Sequence, residues 1–100
     1  MKNFRTFDLA VEFYRSAIDM PLKKHLKDQL HRAASSIVLN LAEGRGKNTR
    51  KDQLRFFHIA LGSVRECQAI MILSNYEGSI SAAILDKVAA SLYLLIKNAR

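Results

Sequence analysis

The stretch DQLHRAASSIVLNLAEG, Asp28 to Gly44, decides the fold. Leu30, Ala33, Ile37 and Leu41, with Leu26 before them, recur at steps of four, three, four and four, the seam of a helix packed in a bundle. Ala34, Ser35 and Ser36 keep its middle thin enough for a neighbouring helix to come close. Gly44 offers the left-handed conformation that closes a helix, so this element is predicted to run from Leu22 to Gly44.

Similar periodicities lie on either side. The spacing predicts a first helix from Phe7 to Asp19, capped by Thr6 and ended before Met20-Pro21. A third helix is predicted from Arg50 to Tyr76, with Thr49 as cap, Asp52 three residues on, and closure at Glu77-Gly78. A fourth is predicted from Ser81 to Asn98, capped by Ser79 or Ser81, with Ile84, Val88, Leu92 and Leu95 on its seam. Gly62-Ser63 sits inside the third helix, where glycine costs about 1 kcal/mol against alanine, and close packing is expected to offset that. Four helices joined by short turns make an all-α, antiparallel up-down-up-down four-helix bundle, one domain over residues 1–100.

Apolar residues exceed what one bundle buries. Leu92 to Ile96 encircle the last helix, and Ile70 to Leu73 do the same late in the third. A second apolar face of this kind meets another subunit, so a homo-oligomer is expected. No apolar stretch approaches the ~20 residues of a membrane span. The start lacks the apolar run of a secretory signal, and Cys67 has no partner cysteine. These features point to a soluble cytoplasmic protein with a buried, inert thiol at Cys67.

The formal net charge is +7, and it is uneven. Residues 23–55 hold nine Lys/Arg against three acids, a local +6, and the rest of the chain contributes +1. Lys23, Lys24 and Lys27 open the second helix, and Arg50 and Lys51 open the third, at the positive end of each dipole. Cations there are disfavoured by roughly a few tenths of a kcal/mol each. Positive charge set against that preference points to an external anion such as a nucleic-acid backbone, contacted by Lys23, Lys24, Lys27, Arg45, Lys47, Arg50, Lys51 and Arg55. The solvated lysines of any basic protein would give the same excess. The two basic ends of a helix roughly 33 Å long lie at opposite poles of one copy, so only oligomerisation joins them. No aromatic residue interleaves with the loop 45–51, which gives no support to base stacking.

No residue set reads as catalytic. His25, His31 and His58 lack the paired Glu-x-x-His spacing of a bundle metal site, so no metal or other cofactor is expected. Ser35, Ser36 and Ser63 fall mid-helix, where hydroxyls bond to the preceding turn. Gly44 to Thr49 lacks the first glycine and the preceding strand of a phosphate loop. Asp28 with Arg65 and Arg32 with Glu66 are expected as ion pairs between the second and third helices. Asn40 and Glu43 are expected to tie down the backbone of the basic loop.

Asp28 to Ile70, carrying RAASSIVLNLAEG and IALGSVRE, resembles the bacterial four-helix-bundle proteins first known from intervening sequences within large-subunit ribosomal RNA genes. Phe7 to Arg15 and Ser91 to Lys97 are similar to that family's outer helices. The resemblance implies a homo-oligomeric ring, a pentamer, without enzyme activity. The family's recurring Arg32, Asn40, Glu43, Gly44, Gly62, Ser63 and Glu66 are all present. A more distant likeness is to the accessory proteins of diversity-generating retroelements, which bind nucleic acid and partner a reverse transcriptase. The expected function is therefore a non-enzymatic scaffold that binds RNA or DNA. The alternative is a protein-interaction module, such as a reverse-transcriptase accessory subunit, whose charge only keeps it soluble.

Overall fold

A computed structural model describes residues 4–99. It contains four helices, α1 (Arg5–Ala17), α2 (Lys24–Arg45), α3 (Arg50–Leu73) and α4 (Ile80–Lys97), and no strand among the described residues. Each helix packs on two others, α1 on α2 and α4, and α3 on α2 and α4, so α1 and α3 sit on one diagonal. Thr6 at the start of α1 hydrogen-bonds Ser91 late in α4 at 2.6 Å, and Ser16 late in α1 bonds Ser81 at the start of α4 at 2.8 Å. The body measures 40 × 21 × 20 Å.

The seams fill one core. Leu30, Ala33, Ile37 and Leu41 of α2, Val64 and Met71 of α3, and Ile84, Val88 and Leu92 of α4 are buried with Phe13 of α1. Leu26, Leu54, Leu61 and Leu95 are only half-buried. Cys67 lies fully inside, where desolvation, reinforced by the Glu66 carboxylate and opposed by Arg32, pushes its thiol up from 9.0 to about 12. By length and mean hydropathy (1.3) α3 reaches the composition of a membrane-crossing helix, contrary to the sequence expectation. Its apolar side chains Phe57, Val64, Cys67, Ile70 and Met71 face this core.

Several helix ends differ from expectation. Thr6 is not a cap but a buried residue inside α1, because its hydroxyl finds Ser91 on α4. The Lys23 carbonyl, not Leu22, opens α2, accepting from Leu26 and Lys27. Gly44 does not close α2. It lies inside the helix, and the residue that caps α2 is Gly46, with a right-handed φ of −81°. A Cβ on Gly44 would stand 2.5 Å from Cε1 of Phe57, so the glycine serves close packing. Gly62, where close packing was expected, faces open space, with nothing within 4 Å of a Cβ. The left-handed residue that ends α3 is Asn75 (φ 61°), three residues before Gly78. Thr49 caps α3 as its spacing predicts, accepting from Asp52 N–H at 3.2 Å, and Ser79 rather than Ser81 caps α4.

Candidate nucleic-acid interface

The basic pole is built where α2 hands over to α3. Arg45 ends α2, the turn 46–49 follows, and Arg50, Lys51 and Arg55 line the first turns of α3. The turn is held by its own backbone, with Gly46 N–H bonding Glu43 O at 3.2 Å and Lys47 N–H bonding Gly44 O at 3.1 Å. The Gln53 amide adds a bond to Lys47 O at 3.1 Å. Sequence reasoning missed Gln53. Its position four residues after the Thr49 cap places its side chain back over the turn, which was the available signal.

Some of the cations are occupied locally. Lys47 Nζ lies 3.4 Å from Glu43 Oε2, and Lys24 Nζ lies 3.1 Å from Asp28 Oδ2. Arg45 stacks over the Phe4 ring at 4.4 Å, and Arg55 over Phe56 at 4.5 Å, with Lys47 5.2 Å from the Phe56 centroid. Aromatic rings thus do flank the basic loop, although none lies within it in sequence. Phe56 has both cations within 5.2 Å of its centroid, so its ring is engaged by them. Among the described residues Lys23, Lys27, Arg50 and Lys51 have no carboxylate partner. Arg50 and Lys51 are exposed in the first turn of α3, where the free N–H groups add positive potential.

Lys23, Lys24 and Lys27 are at the other pole. Lys23 lines a depression with Pro21, His25, Leu73 and Tyr76, where α2 begins and α3 has ended. The 22 residues of α2 put about 33 Å between the two basic ends. A single copy therefore offers Arg45, Lys47, Arg50, Lys51 and Arg55 as one surface and the three lysines as another.

The polar residues between α2 and α3 arrange themselves differently from expectation in two places. Arg32 pairs with Glu66, as predicted. Asp28 does not meet Arg65, because Lys24 one turn back takes its carboxylate and Arg65 donates instead to the Tyr93 hydroxyl on α4. Asn40 does not reach the loop. Its amide bonds Ser36 O at 2.9 Å and Ser36 Oγ at 3.1 Å, one turn back on its own helix. Glu43 does engage the loop, through the Lys47 ammonium as well as through its carbonyl. Ser36 Oγ also accepts from Ser63 Oγ at 2.8 Å, joining the helices at their thinnest point.

Other polar groups are spent on structure. His31 Nε2 donates to Ile18 O at 3.1 Å, tying α2 to the end of α1. Ser35 Oγ bonds Arg32 O and Ser16 Oγ bonds Phe13 O. No three His, Cys, Asp or Glu side chains converge among the described residues.

Against this geometry, residues 4–98 match the family model of the 23S rRNA-intervening sequence protein. The chain belongs to this family. The match spans all four helices and includes both basic poles, so the intervening-sequence family supplies the whole bundle and not one motif. No curated protein and no solved structure matches the chain.

Proposed function

We propose that this member of the intervening-sequence family is a non-enzymatic, cytoplasmic scaffold that binds RNA or DNA through phosphate contacts. The observation that carries the reading is the exposed pair Arg50 and Lys51, without carboxylate partners among the described residues, in the first turn of α3, with Arg45, Lys47 and Arg55 beside them. Phosphates placed there gain from the side-chain charges and from the helix N-terminus together. The family description names 23S rRNA, which supports RNA as the ligand.

The same reading takes the bundle as antiparallel up-down-up-down and assembles copies into a homo-oligomeric ring, a pentamer. Exposed Leu39, Ile59, Ile72, Leu73 and Leu94 support a partner surface. A ring also brings Lys23, Lys24 and Lys27 into repeated arrays that a single copy lacks. The second reading uses those apolar side chains to hold another protein, such as a reverse transcriptase, without contact to nucleic acid.

Filter binding with a structured RNA and a DNA duplex at about 50 and 200 mM salt tests the first reading. Five phosphate contacts predict a fall of several hundred-fold, roughly 10²–10³, between the two conditions. Charge reversal at Arg45, Lys47, Arg50 and Lys51 should abolish retention while the oligomer persists. Salt-independent binding, or full retention by the reversed variant, overturns the nucleic-acid role.

A further inference from the structure

A single line of exposed residues runs along α3. Lys51, Arg55, His58, Gly62, Arg65 and Ala69 recur at steps of four, three, four, three and four, and all six are exposed. That spacing puts them on one face of the helix, opposite the core residues Phe57, Val64, Cys67 and Met71. The line starts in the basic pole at Lys51, and Arg65 stands about 21 Å further along it.

Its arginines keep their charge. Arg55 lies over the Phe56 ring at 4.5 Å. Arg65 donates to the Tyr93 hydroxyl on α4, with its guanidinium 5.8 Å from that ring's centroid. Both partners are neutral, so each guanidinium is positioned without being neutralised, and less side-chain entropy is lost when an anion docks. Arg32 is the contrast, because Glu66 offsets its charge. The two acids of α3 lie off the line, Glu66 turned to Arg32 and Asp52 in the first turn.

The centre of the line is bare. A Cβ on Gly62 would meet nothing within 4 Å, so no contact inside the chain offsets the cost of a mid-helix glycine. Glycine in such a place lets the backbone of a ligand come close to the helix. Cations stand on both sides of it, Arg55 about 10 Å before and Arg65 about 5 Å after.

We infer that this face of α3 lies on the shallow minor groove of an A-form RNA duplex, with the arginines on the phosphate rims and Gly62 against the 2′-hydroxyls of the floor. The inference rests on the nucleic-acid reading proposed above and extends that surface from the pole along α3. Groove shape selects the partner. The major groove of B-form DNA is about 8.5 Å deep, and a helix that reads it needs long side chains where this one has glycine. The B-form minor groove, about 6 Å wide, is narrower than a helix about 10 Å across. The A-form minor groove is wide and shallow, so a bare helix face reaches its floor. Single strands are held by bases stacked on aromatic rings, and this line carries no Phe, Tyr or Trp.

The test is fluorescence anisotropy with a labelled RNA duplex of about 20 base pairs, the DNA duplex of the same sequence, and one RNA strand alone. The RNA duplex should bind at least about tenfold tighter than either alternative. Gly62→Gln and Arg65→Gln should each weaken it about tenfold, and Arg65→Gln should also lower the slope of log K against log salt by about one. The exposed α4 variant Ala83→Gln should bind as the parent does. Equal binding of the two duplexes, tighter binding of the single strand, or full retention by either α3 variant overturns the inference. A second readout does not depend on those losses. A dansyl group on Ala69→Cys should respond to the RNA duplex, and one on Ala83→Cys should not, while Cys67 is fully buried and takes no label. No response at position 69 also overturns the inference. Binding that is lost on charge reversal at Arg45, Lys47, Arg50 and Lys51 yet indifferent to Gly62→Gln and Arg65→Gln removes this face alone. Salt-independent binding removes the nucleic-acid reading with it.

Discussion

Gly44 of α2 lies directly under the ring of Phe57 on α3: a Cβ at Gly44 would stand 2.5 Å from Cε1 and 2.7 Å from Cδ1. Phe57 is buried, so its ring has little room to yield, and Phe56 Cβ would be only 3.2 Å from the same added Cβ. The hand-over from α2 to the basic turn depends on this contact, which brings the two helices together just before the chain reverses.

Gly44→Ala should therefore destabilise the fold by about 1–3 kcal/mol, the range of overpacked cores. Gly62→Ala, measured in dilute solution on separated chains, should act in the opposite sense and stabilise by up to about 1 kcal/mol through helix propensity. Urea unfolding of both variants checks the pair. Equal destabilisation by the two would remove the distinction between a packed and an open glycine.

Arg32 and Glu66 form the ion pair that crosses from α2 to α3, with side chains 63% and 35% exposed. Exposure to water limits its worth, so a double-mutant cycle with Arg32→Ala and Glu66→Ala should give a coupling of about 0.2–1 kcal/mol that shrinks in high salt. The same cycle on Asp28 and Arg65 should give none, because each has a different partner.

Burial holds the Cys67 thiol neutral up to about pH 12, against 9.0 for the exposed group. Between those values the unfolded chain has lost a proton that the folded chain keeps, so stability falls as pH rises. The slope is about 1.4 kcal/mol per pH unit for this one group, and below pH 9 the contribution is constant. Cys67→Ala lowers stability at all pH values through the lost side chain, but should remove that component of the alkaline slope. Parallel pH profiles of the two proteins from 9 to 11 would refute the assignment.

The Thr6–Ser91 bond joins α1 to α4 through a Thr6 that is only 4% exposed. Thr6→Val leaves the half-buried Ser91 hydroxyl without its partner, at a cost of about 0.5–1.5 kcal/mol. Adding Ser91→Ala should recover most of it, because two apolar groups then face each other. Thermal melts of the single and double variants report this directly, and an additive loss would show that the hydroxyls act independently.

Four helices, their order and most of their core were legible because a period near 3.6 is written into one strand of sequence. Leu30, Ala33, Ile37 and Leu41 could be assigned inward without knowing what they would touch. The Thr49 cap was readable for the same reason, since the atoms it joins are three residues apart. The positions of charge along the chain, and their conflict with the helix dipoles, were equally local facts.

The Arg32–Glu66 pair was legible across 34 positions because an antiparallel register fixes it, but most contacts that depend on a partner distant in sequence were not. Gly44 and Gly62 look alike as letters, and only the position of Phe57 makes one a packed contact and the other an open notch. Asp28 was assigned to Arg65 and Asn40 to the loop backbone that follows α2, but Lys24 and Ser36 stood one helical turn away and won by proximity. Sequence by itself determined the all-helical class, the core-facing stripes and the concentration of positive charge, because each follows from spacing along one chain. Tertiary structure alone decided which cations meet aromatic rings, as Arg45 does on Phe4, where Arg65 finds its partner on α4, and which apolar faces stay open. Those outcomes depend on distances across space, between residues up to 85 positions apart in the chain.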